Sequence, residues 1–145
     1  MMINSFKNYL NNGYVKKKTP DSEEAKALLE KAKNRLEYTK SREIKDKTSQ
    51  FVLEDAYESI RESAQALMSI KGFKPYSHEA TISFIKEFYS SDFDETELHK
   101  FDRFRQLRNN SIYMARPVTN EDAKASVLFA VEFINKVRLL LTKLK

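Results

Sequence analysis

SQFVLEDAYESIRESAQALMSIKG, residues 49–72, decides the fold. Its apolar side chains Phe51, Val52, Ala56, Ile60, Ala64, Leu67 and Met68 recur at three- and four-residue steps, the period of a helix with one buried face. The helix opens near Thr48 or Ser49, and Gly72 is a natural C-cap. A helix of this length needs other helices against its stripe, and the flanking sequence supplies them. On the N-terminal side, Asp21 and Ser22 with Glu23 and Glu24 behind them form a helix start. From there Ala25, Leu28, Leu29, Ala32 and Leu36 keep the same period. This helix is predicted to run to about Asp46, its charged KSREIKDK end fraying or projecting from the body.

A short helix near Asn4–Leu10 and a polar connector through Gly13 and Pro20 come first. After Pro75, a helix starts at Ser77 and presents Ile82, Ile85, Phe88 and Tyr89 before SSDFD at residues 90–94 breaks it. The next starts at Asp94, with Glu97 as its capping pair, and runs to about Ala115. Pro117 stops it, and Arg116 should already be leaving the helical region. The last helix opens at Thr119 with Asp122 in its first turn. It carries Val127, Leu128, Val131, Ile134, Val137, Arg138 and Leu141, with Lys143 and Lys145 at the negative end of its dipole. These elements predict an all-α fold, an antiparallel up-and-down bundle of four to five helices, with no strand pattern and no repeat. Residues 1–20 read as a polar N-terminal segment with a short helix, and residues 21–145 as the bundle.

The composition agrees. The chain has 145 residues, with 2 Gly and 3 Pro against 12% aromatic and 32% charged residues, which suits one domain and disfavours folds built from many tight turns. It has no Cys, so no disulfide framework, thiolate metal site or Cys nucleophile is open to it. The first 18 residues are polar and lack the apolar stretch of a signal peptide. No later segment approaches the roughly 20 apolar residues of a membrane span, so a cytoplasmic location is expected. The net charge of +5 is unevenly placed: residues 1–50 carry 12 basic and 7 acidic side chains, residues 51–100 carry 5 and 10, and residues 101–145 carry 9 and 4. Two basic thirds therefore flank an acidic one, which suits either solvated helix faces or a polyanionic partner.

The unusual stretch is FDRFRQLRNNSIYMARP, residues 101–117. At 100° per residue, Phe101, Phe104, Arg108, Ile112 and Ala115 share one narrow stripe, which sets Arg108 among apolar neighbours. A guanidinium stays charged and needs a partner when buried. One reading pairs it with Glu54, Glu58 or Glu62, or lets its stem snorkel across apolar surface. The other has Arg108 hold a phosphate in bidentate fashion, with Arg105 and Asn109 flanking it. Asn109 and Tyr113 are four apart and share a face. Arg108 and Tyr113 are about 140° apart on a regular helix, and converge only if the helix end distorts or two subunits pool their residues. Neither His78 nor His99 belongs to a cluster with metal-ligand spacing, and the isolated Gly13 and Gly72 form no phosphate-cradling loop. No metal and no cofactor is expected.

The order of these elements resembles a HEPN domain (higher eukaryotes and prokaryotes nucleotide-binding). The resemblance runs through AKALLEKAKNRLEYTK, EDAYESIRESAQALMSIKGF, KPYSHEATISFI, LRNNSIYM and EDAKASVLFAVEFINKVRLLL, roughly Ser22 to Leu141. It is closest in style to the small stand-alone prokaryotic, often archaeal, members. It implies a helical bundle that forms a homodimer, with the polar motif of the helix from Asp94 to about Ala115 in both subunits facing a shared cleft that binds RNA or nucleotide. It also implies either a metal-independent ribonuclease toxin or a partner of a minimal nucleotidyltransferase in a toxin–antitoxin pair. The family's ribonuclease motif is Arg, a polar residue, then His, with four to six residues in all between the Arg and the His. Arg108 and Asn109 match its first two positions, and Tyr113 stands where the shortest spacing places the His. Both histidines precede Arg108, so the motif's base is absent. A Tyr, with its ordinary pKa about 10, is a poor substitute for a base near 6.5, though it can stack on a base or fill a dimer interface. The Tyr that the nucleotidyltransferase modifies in some members falls on Ala115. His78 matches a His common at the start of the family's third helix, where its implied role is structural, and His99 reads as a surface residue. The expected site is thus Arg108, Asn109 and Tyr113, with Arg105 adding to phosphate binding. The alternatives are a ribonuclease with a non-standard motif and a structural dimerisation module.

Overall fold

Helix α1 spans Phe6–Asn11, strand β1 Val15–Lys17, α2 Ser22–Lys40, α3 Ser49–Lys71, β2 Phe73–Pro75, α4 His78–Phe88, α5 Glu95–Met114 and α6 Asn120–Lys143. These elements come from a computed structural model that describes residues 3–143. The part expected of Lys145 at the end of α6 lies outside the described residues. The starts of α2, α4, α5 and α6 are made by capping side chains that the sequence offers, whereas Thr48 gives α3 no side-chain cap. Asp21 accepts from Glu24 N–H at 2.9 Å, Ser77 from Ala80 N–H at 3.3 Å and Thr119 from Asp122 N–H at 3.0 Å. Asp94 and Glu97 close a full capping box on α5. At the other end of α3, Gly72 sits at φ +86°, the left-handed conformation of a helix C-cap.

Cross-links between helices give their directions. Between α2 and α3, Asp21 meets Ser69, Arg35 meets Glu62 and Arg42 meets Asp55, so the two run antiparallel. Between α5 and α6, Glu97 pairs with Lys136 and Arg103 with Asp122, again antiparallel. Between α3 and α5, Tyr57 packs on Phe101 and Glu54 accepts from Ser111. The four long helices therefore alternate up and down. Helices α3 and α6 point the same way, joined at their N-terminal ends by Ser49 Oγ donating to Asn120 Oδ1 at 2.6 Å. Leu53, Tyr57, Ile60, Leu67 and Met68 of α3 are fully buried, and Phe101 and Phe133 meet edge to face at 5.4 Å in the same core.

Two local expectations are corrected. Helix α2 stops at Lys40, not near Asp46. Ser41 Oγ donates back to Tyr38 O, and the Arg42 guanidinium turns inward to Asp55 and lies over the Tyr38 ring. Partly buried Ile44 then packs the following loop on the core. The end is thus folded down, not projecting. There are also two short strands where none was expected: β1 and β2 pair antiparallel, Val15 opposite Pro75, Lys16 opposite Lys74 and Lys17 opposite Phe73. The N-terminal segment is fastened to the bundle through buried Phe6, Tyr9 and Val15.

Candidate functional site

Helix α5 carries the stretch that the sequence singles out, and its buried edge turns along its length. Phe101 and Phe104 are buried, and the buried edge then passes to partly buried Leu107 and buried Ser111, a rotation of about 70° around the axis. The stripe expected through Arg108 and Ile112 therefore leaves the core: Ile112 is 43% exposed and Arg108 half-buried. Ser111 instead faces α3 and donates to Glu54 Oε2 at 2.7 Å.

That arrangement removes the ion pairs that one reading gave Arg108. Of the three carboxylates open to it, Glu54 takes Ser111. Glu58 takes Arg61 Nε at 3.0 Å. Glu62, 2% exposed, takes Arg35 at 2.8 Å and Lys31 at 3.5 Å. Among the described residues Arg108 has no carboxylate within 4.0 Å. Its Nη1 donates to Asn109 Oδ1 at 3.0 Å, and its guanidinium lies 5.8 Å from the centre of the Tyr113 ring, which is 72% exposed. The convergence of Arg108 with Tyr113 accompanies a distorted helix end. Ala115 N–H reaches back five residues to Asn110 O, and Ala115 itself is left-handed at φ +50°.

Arg105 is placed differently. Its side chain is 15% exposed and committed to carboxylates, Asp102 at 2.8 Å and Glu79 at 3.7 Å. It lends positive charge and ties α5 to the start of α4, but its fork is not open in the way that of Arg108 is.

A histidine also lies close to these arginines. His78, the first residue of α4, shares a hydrogen bond with Tyr57 Oη through Nδ1 at 2.8 Å. The two rings stack 9° from parallel. Burial, and then the positive charges of Arg108, Arg61 and Arg105, hold its pKa down at about 4, with Glu58 pulling the other way. The imidazole is therefore neutral at pH 7. Burial likewise pushes the Tyr57 phenol up. It also works against the charge of Glu58, but the Arg61 hydrogen bonds prevail and hold that carboxyl below its usual range. Thirty residues separate His78 from Arg108, so no local motif links them. His99 lies on the surface, 3.8 Å from Glu95. Among the described residues no group of three His, Cys, Asp or Glu is placed to hold a metal ion, and no helix is long and apolar enough to cross a membrane.

Residues 25–140 match the HEPN domain family. The chain belongs to that family. No curated protein matches the chain. The family is generally concerned with nucleotides and RNA, and HEPN domains commonly dimerise. The matched span covers α2 to α6 and so contains Arg108, Asn109 and Tyr113 of this HEPN chain, together with His78. It begins after α1 and β1. Chemically, the candidate site offers an arginine without a carboxylate partner, an amide bonded to it, an exposed aromatic ring and a neutral imidazole nearby.

Proposed function

We propose that this HEPN protein binds RNA or a nucleotide phosphate, with Arg108 as the phosphate ligand. Asn109 orients the fork, Tyr113 stacks on a base, and Arg105 adds positive potential from behind. The observation that carries the reading is that Glu54, Glu58 and Glu62, the carboxylates the sequence offers Arg108, are each engaged elsewhere. A half-buried guanidinium without a carboxylate suits an anion supplied by a ligand, and phosphate matches its planar fork. In this reading the protein is a cytoplasmic homodimer. Its α5 ends meet, bringing exposed Ile112, Tyr113 and Met114 of both copies to one cleft. A minimal nucleotidyltransferase encoded beside it would be its partner in a toxin–antitoxin pair.

A second reading, metal-independent RNA cleavage, rests on the position of His78 close to the arginines, where its imidazole is neutral at pH 7 though, at about 4, a weaker base than an ordinary histidine. There His78 would take the 2′-hydroxyl proton as the 2′-oxygen attacks phosphorus. The P–O5′ bond breaks to leave a cyclic phosphate, and water protonates the leaving 5′-oxygen. Arg108 would stabilise the developing charge. The third reading gives Arg108 only the task of fixing dimer register.

One set of measurements separates them: binding of labelled single-stranded RNA, its integrity after incubation, and sizing chromatography, each on the wild type and on Arg108→Ala. Binding should fall at least about tenfold in Arg108→Ala and should weaken with salt in the wild type. RNA cut by the wild type but by neither Arg108→Ala nor His78→Gln supports cleavage. Unchanged binding with a weakened dimer overturns both in favour of the structural module.

A further inference from the structure

The β1–β2 ribbon presents a second cationic surface. Its register sets Lys16 opposite Lys74, and Tyr76 N–H donates to Tyr14 O at 2.8 Å, so the two tyrosines form the next pair. Residues two apart on a strand share a face, which puts Tyr14, Lys16, Lys74 and Tyr76 on one side of the ribbon. All four are exposed, while their neighbour Val15 is buried. Like charges set opposite one another destabilise a ribbon, and among the described residues neither lysine has a carboxylate within 4.0 Å. What they share is an aromatic ring. The Lys16 ammonium lies 5.2 Å and that of Lys74 5.6 Å from the centre of Tyr76.

The platform is held firmly. Lys18 N–H donates to Gly72 O at 2.9 Å, and Phe73 of β2 packs edge to face on Phe6 at 5.1 Å. It also adjoins the Arg108 site. Tyr76 precedes His78 by two residues, a span of at most about 7 Å. Glu79, the next residue, reaches Arg105 at 3.7 Å, one helical turn from Arg108. An exposed ring flanked by two unpaired ammoniums is the arrangement that holds unpaired bases and their phosphates. A duplex keeps its base faces stacked inside and offers this surface nothing to stack.

We propose that the outer face of the ribbon is a binding platform for single-stranded RNA. One base stacks on Tyr76, Lys16 and Lys74 neutralise the adjacent phosphates, and the strand continues past the start of α4 to Arg108. The proposal rests on the reading that Arg108 takes an RNA phosphate. It adds a surface half of which, β1 with Tyr14 and Lys16, precedes the span matched to the family.

The test is fluorescence anisotropy on the full chain, with a labelled 12-nucleotide oligouridine and, in parallel, uridine 3′-monophosphate as a competitor. Tyr76→Ala should weaken 12-mer binding about tenfold, and Tyr76→Phe should not. Lys16→Ala/Lys74→Ala should lower the slope of log K against log salt by about 1.4, at 0.7 for each single-strand phosphate released. Neither should alter competition by the mononucleotide, whereas Arg108→Ala should weaken both ligands. Wild-type affinity and slope in the ribbon variants, with loss only in Arg108→Ala, overturn the platform and leave the Arg108 reading standing. Loss in the ribbon variants with none in Arg108→Ala supports the platform and overturns that reading. A duplex of the same length binding with the same dependence on Tyr76 overturns the platform, as does a wild type that does not bind the 12-mer in 50 mM salt. All four side chains are exposed, so circular dichroism should match the wild type throughout, and no ribbon variant should melt below it.

Discussion

Arg108 and Arg35 are the same residue type in opposite circumstances, and the contrast separates a functional arginine from a structural one. Arg35 is bound in bidentate fashion to Glu62 at 2.8 and 3.2 Å, and removing it leaves a buried carboxylate with only Lys31. Arg35→Ala should cost about 3 kcal/mol, while Arg108→Ala, which breaks no ion pair, should cost under about 0.5 kcal/mol. Urea melts of the two variants check this. His78 gives a second prediction at this scale. Its pKa is about 4 in the folded chain and about 6.5 when unfolded. The unfolded chain therefore binds more protons between these values. Stability is fully present above pH 6.5 and falls as pH drops toward 4. A His78→Gln variant, melted at pH 7 and at pH 4, should lose less stability over that window than the wild type. Discounted for the partial exposure of the ring, the difference should be about 1 kcal/mol.

Among the elements, helix starts were legible because single capping residues make them: Asp21, Ser77, Asp94 and Thr119 all act where the sequence places them. The end of α2 was not. Lys40 to Lys47 are all compatible with a helix, and what ends it is tertiary, Arg42 reaching Asp55 on α3. The ribbon was hidden for a similar reason. Three residues per strand are too few for a period, one strand is VKK and the other ends in Pro75, and the paired positions lie almost sixty residues apart. Gly72 holds these parts together. A Cβ there would sit 2.7 Å from Lys18 O, at φ +86°, so both backbone strain and a clash oppose any side chain. Gly72→Ala should destabilise the protein by about 2 kcal/mol, with exchange protection at Lys18 N–H lost first. Gly13→Ala meets no atom within 4 Å and should cost about 1 kcal/mol from its positive φ alone.

At the scale of the whole molecule, the periodicity of α3 was enough to require a helical bundle, because so long an apolar stripe has few other ways to be covered. Much of the candidate site was legible too: Arg108, Asn109 and Tyr113 come together at the distorted end of α5. The nearness of His78 was not, since only packing of α4 against α3 and α5 brings it to the arginines. The proposed dimer has a direct consequence. Ile112 is 43% exposed beside the site, and a charge there would oppose a joined cleft while leaving the monomer core untouched. Ile112→Glu should elute as a monomer on sizing chromatography and bind RNA more weakly, with its melting temperature near that of the isolated wild-type subunit.

The central claim, that Arg108 receives a phosphate, is tested most directly at His78, whose imidazole senses the charge on that guanidinium. The measurement is the NMR titration midpoint of His78 with and without saturating uridine 3′-monophosphate, in the wild type and in Arg108→Ala. A phosphate seated on Arg108 should raise the wild-type midpoint by about one unit, and Arg108→Ala should start higher and show no response to the nucleotide. A wild-type midpoint unmoved at saturation, or an equal response in both proteins, would contradict it.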